Sequence, residues 1–196
     1  AGCLYVCIRG IHNDGHLFIQ DAIDSGASAV IVESGNEVAS DNSSASALVI
    51  SVPNTRKALA CLFNAWYGSP SDKMKFVAVT GTNGKTSVTY ILKKIFEMAL
   101  YRCGLVGTVS CLSMDRQLFS NDSSTQTNMT TPDPDRLYYL LSQMADDGVE
   151  YVFIEASSHA LRDMAFVQSA TVKTWRRRFP YKWAKRLVRL QRNLSV

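Results

Sequence analysis

Val79-Thr80-Gly81-Thr82-Asn83-Gly84-Lys85-Thr86 decides how this chain is read. An apolar run, Phe76 to Val79, leads into it. From about Lys85 to Leu100 the residues Val88, Ile91, Leu92, Ile95, Phe96 and Ala99 recur at helical spacing. Strand, glycine turn and helix in that order are the setting of a phosphate-binding loop. Glycines let successive backbone N–H groups turn toward a polyphosphate, the helix N-terminus adds partial positive charge, and Lys85 adds a full one. The Thr86 hydroxyl is then placed for a magnesium ion. The usual spacing also asks for glycine at position 79, where this chain has Val79.

A second element supports the first. Tyr151-Val152-Phe153-Ile154-Glu155 reads as a buried strand that delivers a carboxylate at its C-terminal end. In phosphate-loop proteins a carboxylate at that end of a neighbouring strand holds magnesium or orients an attacking group. A buried carboxylate is costly unless a cation or hydrogen bonds compensate it.

Outward from these elements, strand-like runs alternate with helical periodicity, so the fold class is α/β. Leu4 to Ile8, Ala29 to Val32 and Leu48 to Val52 are expected strands, and Phe18, Ala22 and Ile23 mark a short helix that ends at Gly26. Ser34 to Ser46 is expected to be a surface loop. Asn54 is placed to cap a helix carrying Leu59, Leu62, Phe63 and Trp66 at i, i+3, i+4, i+7. Turn residues gather at Gly68-Ser69-Pro70, the expected boundary between a small N-terminal unit, 1–70, and a second unit, 71–161. The second unit continues with a strand near Leu105 to Cys111 and a polar excursion through Asn121 to Asn128. A helix from about Asp133 turns Leu137, Leu140, Leu141, Met144 and Ala145 inward.

With 196 residues, 46% hydrophobic and 19% charged, the composition is that of a globular protein and excludes a disordered, collagen-like or coiled-coil chain. No apolar run approaches the roughly 20 residues of a membrane helix. The first residues lack the basic start and cleavage site of a signal peptide. Five cysteines, with no C-x-x-C pair, point to reduced thiols in the cytoplasm rather than to a disulfide framework or zinc site. The net charge of +4 divides unevenly: residues 162–196 hold ten of the 21 Lys and Arg but one of the 17 acids. That basic tail is a third segment.

The strings DGHLFIQDAIDSGASAVIVE (14–33), VPNTRKALACLFNAWYGSP (52–70), VAVTGTNGKTSVTYIL (77–92), MTTPDP (129–134) and EASSHAL (155–161) together resemble the Mur ligases of the MurE type. Val79 is normal for that family. The resemblance implies an N-terminal domain that holds the UDP part of the substrate and a central ATPase domain, here truncated. It implies addition of the third amino acid to UDP-N-acetylmuramoyl-L-alanyl-D-glutamate through an acyl phosphate, in a cytoplasmic monomer. By the same resemblance Gly81, Thr82, Asn83, Gly84, Lys85, Thr86 and Ser87 would cradle ATP, and Lys85 and Glu155 would serve catalysis. Thr86 with Glu155 would hold Mg2+, and Thr130, Thr131 and Ser157 would bind the muramoyl-peptide substrate. His12 and His16 would flank the uridine pocket, and His159 would orient neighbouring groups. The partners implied are UDP-N-acetylmuramoyl-dipeptide and an amino acid of the diamino type, with no membrane span and no nucleic acid.

Two departures qualify the resemblance. Met129 stands where the family has Asn before the Thr pair. After Leu161 neither the family's Arg, where Ala165 stands, nor its D-H-L-D stretch, carbamylated lysine or C-terminal domain is found. The expected account of residues 162–196 is a reading-frame shift or a wrong join. The alternative is a basic amphipathic helix, with Trp183, Leu187, Leu190 and Leu194 on one side, suited to an acidic membrane surface or nucleic acid. The expectation for this chain is ATP binding without ligation. Two other readings are kept: an unrelated phosphate-loop ATPase or kinase, and a non-catalytic module that binds nucleic acid through its tail.

Overall fold

The computed structural model describes residues 2–10, 13–35, 47–120 and 132–156. Strands β1 (Cys3–Val6), β2 (Ala27–Glu33) and β3 (Leu48–Val52) form a parallel sheet in the order β1-β2-β3. Between β1 and β2 a 3-10 turn, Gly15–Phe18, runs into helix α1 (Ile19–Asp24). The strands alternate, so Val30 and Val32 face one side and meet Cys7 and Ile19 in a small core, joined by Tyr5 and Ile23. Phe18, expected on the inner side of this helix, is 46% exposed, and Ile19 is buried instead. The 3-10 turn shifts the register of the helix that follows.

Asp14 organises this turn. Its carboxylate accepts hydrogen bonds from the backbone N–H of His16 (3.0 Å), from His16 Nδ1 (2.5 Å) and from Arg9 Nε (2.9 Å). The Glu33 backbone N–H donates to His16 Nε2 at 3.0 Å, which leaves Nδ1 as the ring nitrogen that carries the proton toward Asp14. Both ring nitrogens of His16 are thus engaged within the unit, tying its first turn to the end of β2. The His16 backbone N–H first, then its ring and Arg9, hold the Asp14 carboxyl well below the usual carboxylate range. A depressed folded pKa contributes stability above the unfolded value near about pH 4 that is lost as pH falls. Asp14→Asn should therefore flatten the acid limb of a plot of melting temperature against pH; an unchanged acid limb would contradict this.

Helix α2 (Thr55–Trp66) starts as expected, with the Asn54 side chain accepting from the Lys57 backbone N–H at 2.8 Å. Its expected apolar stripe is rotated: Leu62 is 39% and Trp66 82% exposed, while Ala60 is buried and Phe63 and Tyr67 pack on the core of the second sheet. After Gly68, at φ 75°, the chain makes one further helical turn, α3 (Pro70–Lys73), with proline in its first positions.

The second sheet comprises β4 (Lys75–Val79), β5 (Cys103–Val106), β6 (Ser110–Ser113), β7 (Arg116–Ser120) and β8 (Tyr151–Glu155), in the order β4-β8-β5-β6-β7. β4, β8 and β5 are parallel, and β6 and β7 are antiparallel additions. The single strand expected over Leu105 to Cys111 is instead two strands joined by a tight turn, closed by the Gly107 backbone N–H donating to the Ser110 carbonyl at 3.1 Å. Helices α4 (Lys85–Met98) and α5 (Pro134–Asp146) cover opposite faces. Period-two alternation along β8 decides which residue meets which helix. Val152 and Ile154 join Leu137, Tyr138, Leu140, Leu141 and Met144 on the α5 side, as expected for that helix. Tyr151 and Phe153 stack against Phe96 of α4, with ring centroids 4.9 and 5.2 Å away. Glu155 falls on that same side.

The inward face of α4 follows the expected apolar stripe only in part: Phe96 packs against the sheet, and Leu92 and Ile95 are half-buried. Thr89 and Lys93 are buried, Lys93 paired with Glu97, whereas Val88 is 39% and Ile91 58% exposed. No helix among the described residues is long and apolar enough to cross a membrane. All five cysteines are free; burial pushes the Cys7 and Cys103 thiols up to about 11, which keeps them protonated at neutral pH.

Candidate functional site

The loop between β4 and α4 carries two glycines with positive φ, Gly81 at 153° and Gly84 at 77°. Gly84, the residue before the first helical turn, is left-handed, a conformation that costs an L side chain. A Cβ at Gly81 would meet nothing closer than the Asn83 carbonyl oxygen at 3.8 Å, and one at Gly84 would meet nothing within 4 Å. The loop backbone is therefore open to close approach. Lys85 Nζ lies across it, donating to the Gly81 carbonyl at 2.9 Å. Thr89 Oγ1 donates to the Lys85 carbonyl at 2.7 Å and stiffens the turn behind.

Glu155 closes the site. Parallel pairing sets Val79 opposite Glu155, and the ladder runs one residue further through Ala156 N–H to the Val79 carbonyl at 2.9 Å. The carboxylate thereby stands where the loop leaves β4. It is fully buried, and its Oε2 accepts hydrogen bonds from Thr86 Oγ1 and Thr108 Oγ1, each at 3.0 Å. Two hydroxyls on one carboxylate oxygen lower the cost of burying the charge.

An open glycine backbone, a helix N-terminus and an ammonium group suit a polyphosphate. The Thr86 hydroxyl and the Glu155 carboxylate supply the hard oxygen ligands that magnesium prefers. The site residues present thus fit both groups. Among the described residues no cluster of three or more His, Cys, Asp or Glu forms a metal site from such side chains alone.

Lys85, Thr86 and Glu155, expected together, are brought together across 69 residues of chain. Thr82, Asn83 and Ser87 lie on the exposed side of the same loop and first turn. Thr130, Thr131 and Ser157, with His12 and His159, the Asn128-Met129 pair and the basic tail, lie outside the described residues. Sequence reading missed Thr108 and its neighbour Gly107. A Cβ at Gly107 would collide with Glu155 Oε1, so a side chain there would have to displace the carboxylate. The one available signal was a glycine inside an apolar run, which often marks a close backbone approach. Gly107→Ala is expected to displace Glu155 and to lower magnesium-dependent ATP affinity by about 10-fold, following the roughly 1–3 kcal/mol of an overpacked site; calorimetric titration checks it.

A nucleotide-type loop on a parallel sheet, with a strand-end carboxylate against its threonine, defines the class, and the chain belongs to the Mur ligase family. Residues 1–67 match the Mur ligase family catalytic domain, and residues 79–174 match the Mur ligase middle domain. The chain is 39% identical over 158 residues, 81% of its own length, to UDP-N-acetylmuramoyl-L-alanyl-D-glutamate--2,6-diaminopimelate ligase of Clostridium tetani. It is likewise 39% identical over 160 residues, 82% of its length, to the protein of that name in Clostridium perfringens. In both cases the chain spans 31% of the relative's length. A solved structure of a ligase of that name shares the fold, with a TM-score of 0.54 at 23% identity over 90% of this chain and 35% of that one.

Proposed function

We propose that this chain carries the ATP-binding part of an ATP-dependent amide ligase of peptidoglycan precursor synthesis. Residues 1–70 would serve the UDP end of the substrate and residues 71–161 the nucleotide. The observation that carries the reading is the contact between Thr86 and Glu155 at the mouth of a glycine loop, with Lys85 laid across it. The backbone N–H groups of Gly81 to Ser87 bind the phosphates, and Lys85 neutralises them. Thr86 and Glu155 hold Mg2+, which neutralises charge on the transferring phosphoryl group when bound.

The relatives' shared name supplies the rest of the reading. The substrate is UDP-N-acetylmuramoyl-dipeptide, and the incoming amino acid is a diamino acid. The substrate carboxylate takes the terminal phosphoryl group of ATP, and the amine then displaces phosphate and gives up a proton as the amide forms. Thr130, Thr131 and Ser157 bind the muramoyl-peptide through their hydroxyls, and the enzyme works in the cytoplasm as a monomer.

Calorimetric titration of the purified chain with ATP, with and without magnesium, and with UDP-N-acetylmuramoyl-L-alanyl-D-glutamate tests the proposal. Magnesium-enhanced ATP binding together with dipeptide binding is the expected result. ATP binding without dipeptide binding would leave only the nucleotide half of the proposal standing, and no ATP binding would overturn it.

A further inference from the structure

Glu155 ends the strand that lies between β4 and β5, so turns on both sides reach its carboxylate. From the β4 side comes Thr86, in the first turn of α4; from the β5 side come Gly107 and Thr108. The two threonines share Oε2, and Gly107 leaves the room that Oε1 occupies. Resting on the phosphate-loop reading above, we propose that Thr108 is a positioning residue for magnesium-nucleotide binding, the fixed tether that keeps Glu155 aimed at the loop.

The reason lies in what each hydroxyl does when a cation is bound. A threonine that ligates magnesium through Oγ1 turns a lone pair to the ion and keeps its O–H, so Thr86 can bind the ion and still donate to Glu155. Its position is then tied to the ion as well as to the carboxylate. Thr108 is on a different element and has no place in the phosphate loop, so its hydrogen bond can persist through binding. Gly107 limits the alternatives, because the carboxylate already fills the space beside its Cα. The turn at 107–108 thus acts on the site through Glu155.

The test is calorimetric titration of the purified chain with ATP, once with magnesium and once with EDTA, for wild type, Thr108→Val and Thr108→Ser. Melting without nucleotide reports the fold. A hydrogen bond to a charged group supports an expectation of about 10-fold weaker magnesium-ATP binding in Thr108→Val. Affinity in EDTA should stay within about twofold, and Thr108→Ser, which keeps the hydroxyl, should bind like wild type. With Mn2+ in place of magnesium, the bound-ion resonance should broaden in Thr108→Val and stay sharp in Thr108→Ser. If Thr108→Val does not fold, Thr108→Ala removes the same hydroxyl with a smaller side chain. Equal loss with and without magnesium, or no loss at all, overturns the inference while the phosphate-loop reading stands. Wild type that fails to bind magnesium-ATP overturns both.

Discussion

Lys85→Ala lowers the affinity for magnesium-ATP by about 100-fold, the largest single effect expected in this chain, since each hydrogen bond from a charged donor contributes about 1.5–3 kcal/mol. The ammonium group lies over the loop within 2.9 Å of the Gly81 carbonyl, so its stem already has the direction needed to reach phosphate oxygens between Gly81 and Gly84. Alanine is a good helix former and keeps the first turn of α4, so ligand-free melting should barely change. Lys85→Arg should not restore affinity fully, because a broad planar fork replaces a compact point charge. Titration of the three proteins decides the matter. Equal affinity in wild type and Lys85→Ala would remove the phosphate loop from the account.

Glu155→Gln is expected to separate binding from stability. The substitution keeps shape and volume and removes a fully buried charge, whose desolvation is costly. The Thr86 and Thr108 hydroxyls can still donate to the amide oxygen, so ligand-free melting should hold or rise. Magnesium, by contrast, loses an anionic oxygen ligand. Its enhancement of ATP affinity should fall by about 10-fold to 100-fold, in line with the loss of one charge-assisted ligand. ATP affinity in EDTA should not follow it down. A variant that melts well below wild type while magnesium still strengthens ATP binding would assign Glu155 to the fold instead of the ion.

Much of this site can be read before any fold is known. The loop from Gly81 to Thr86 announces itself because glycine, lysine and threonine are needed at adjacent positions, between an apolar run and a helical one. Glu155 is legible as the first charge after four largely apolar residues. Helix α5 is legible too, because Leu137, Leu140, Leu141 and Met144 face one large sheet and nothing competes for that stripe. Local chemistry of this kind depends on neighbours along the chain, and a sequence displays those directly.

The rotation of α4 was not readable in the same way. Its apolar residues suggested Val88, Ile91, Leu92, Ile95, Phe96 and Ala99 as the inner face, yet Thr86 meets Glu155, and at 3.6 residues per turn that choice carries Thr89 and Lys93 inward beside Phe96 and leaves Val88 and Ile91 exposed. The break at Gly107 was hidden for a related reason: Leu105 to Cys111 is apolar enough for one strand, and it is the Glu155 carboxylate, delivered by β8, that a side chain at position 107 would have to push aside. By itself the sequence determined the class of loop, its strand and helix, the strand that ends in a carboxylate and the helix that covers one face. Tertiary structure alone decided which hydroxyls hold that carboxylate, which face of α4 is buried and where β5 stops, because each depends on β8 inserting between β4 and β5, a contact made across a long stretch of chain.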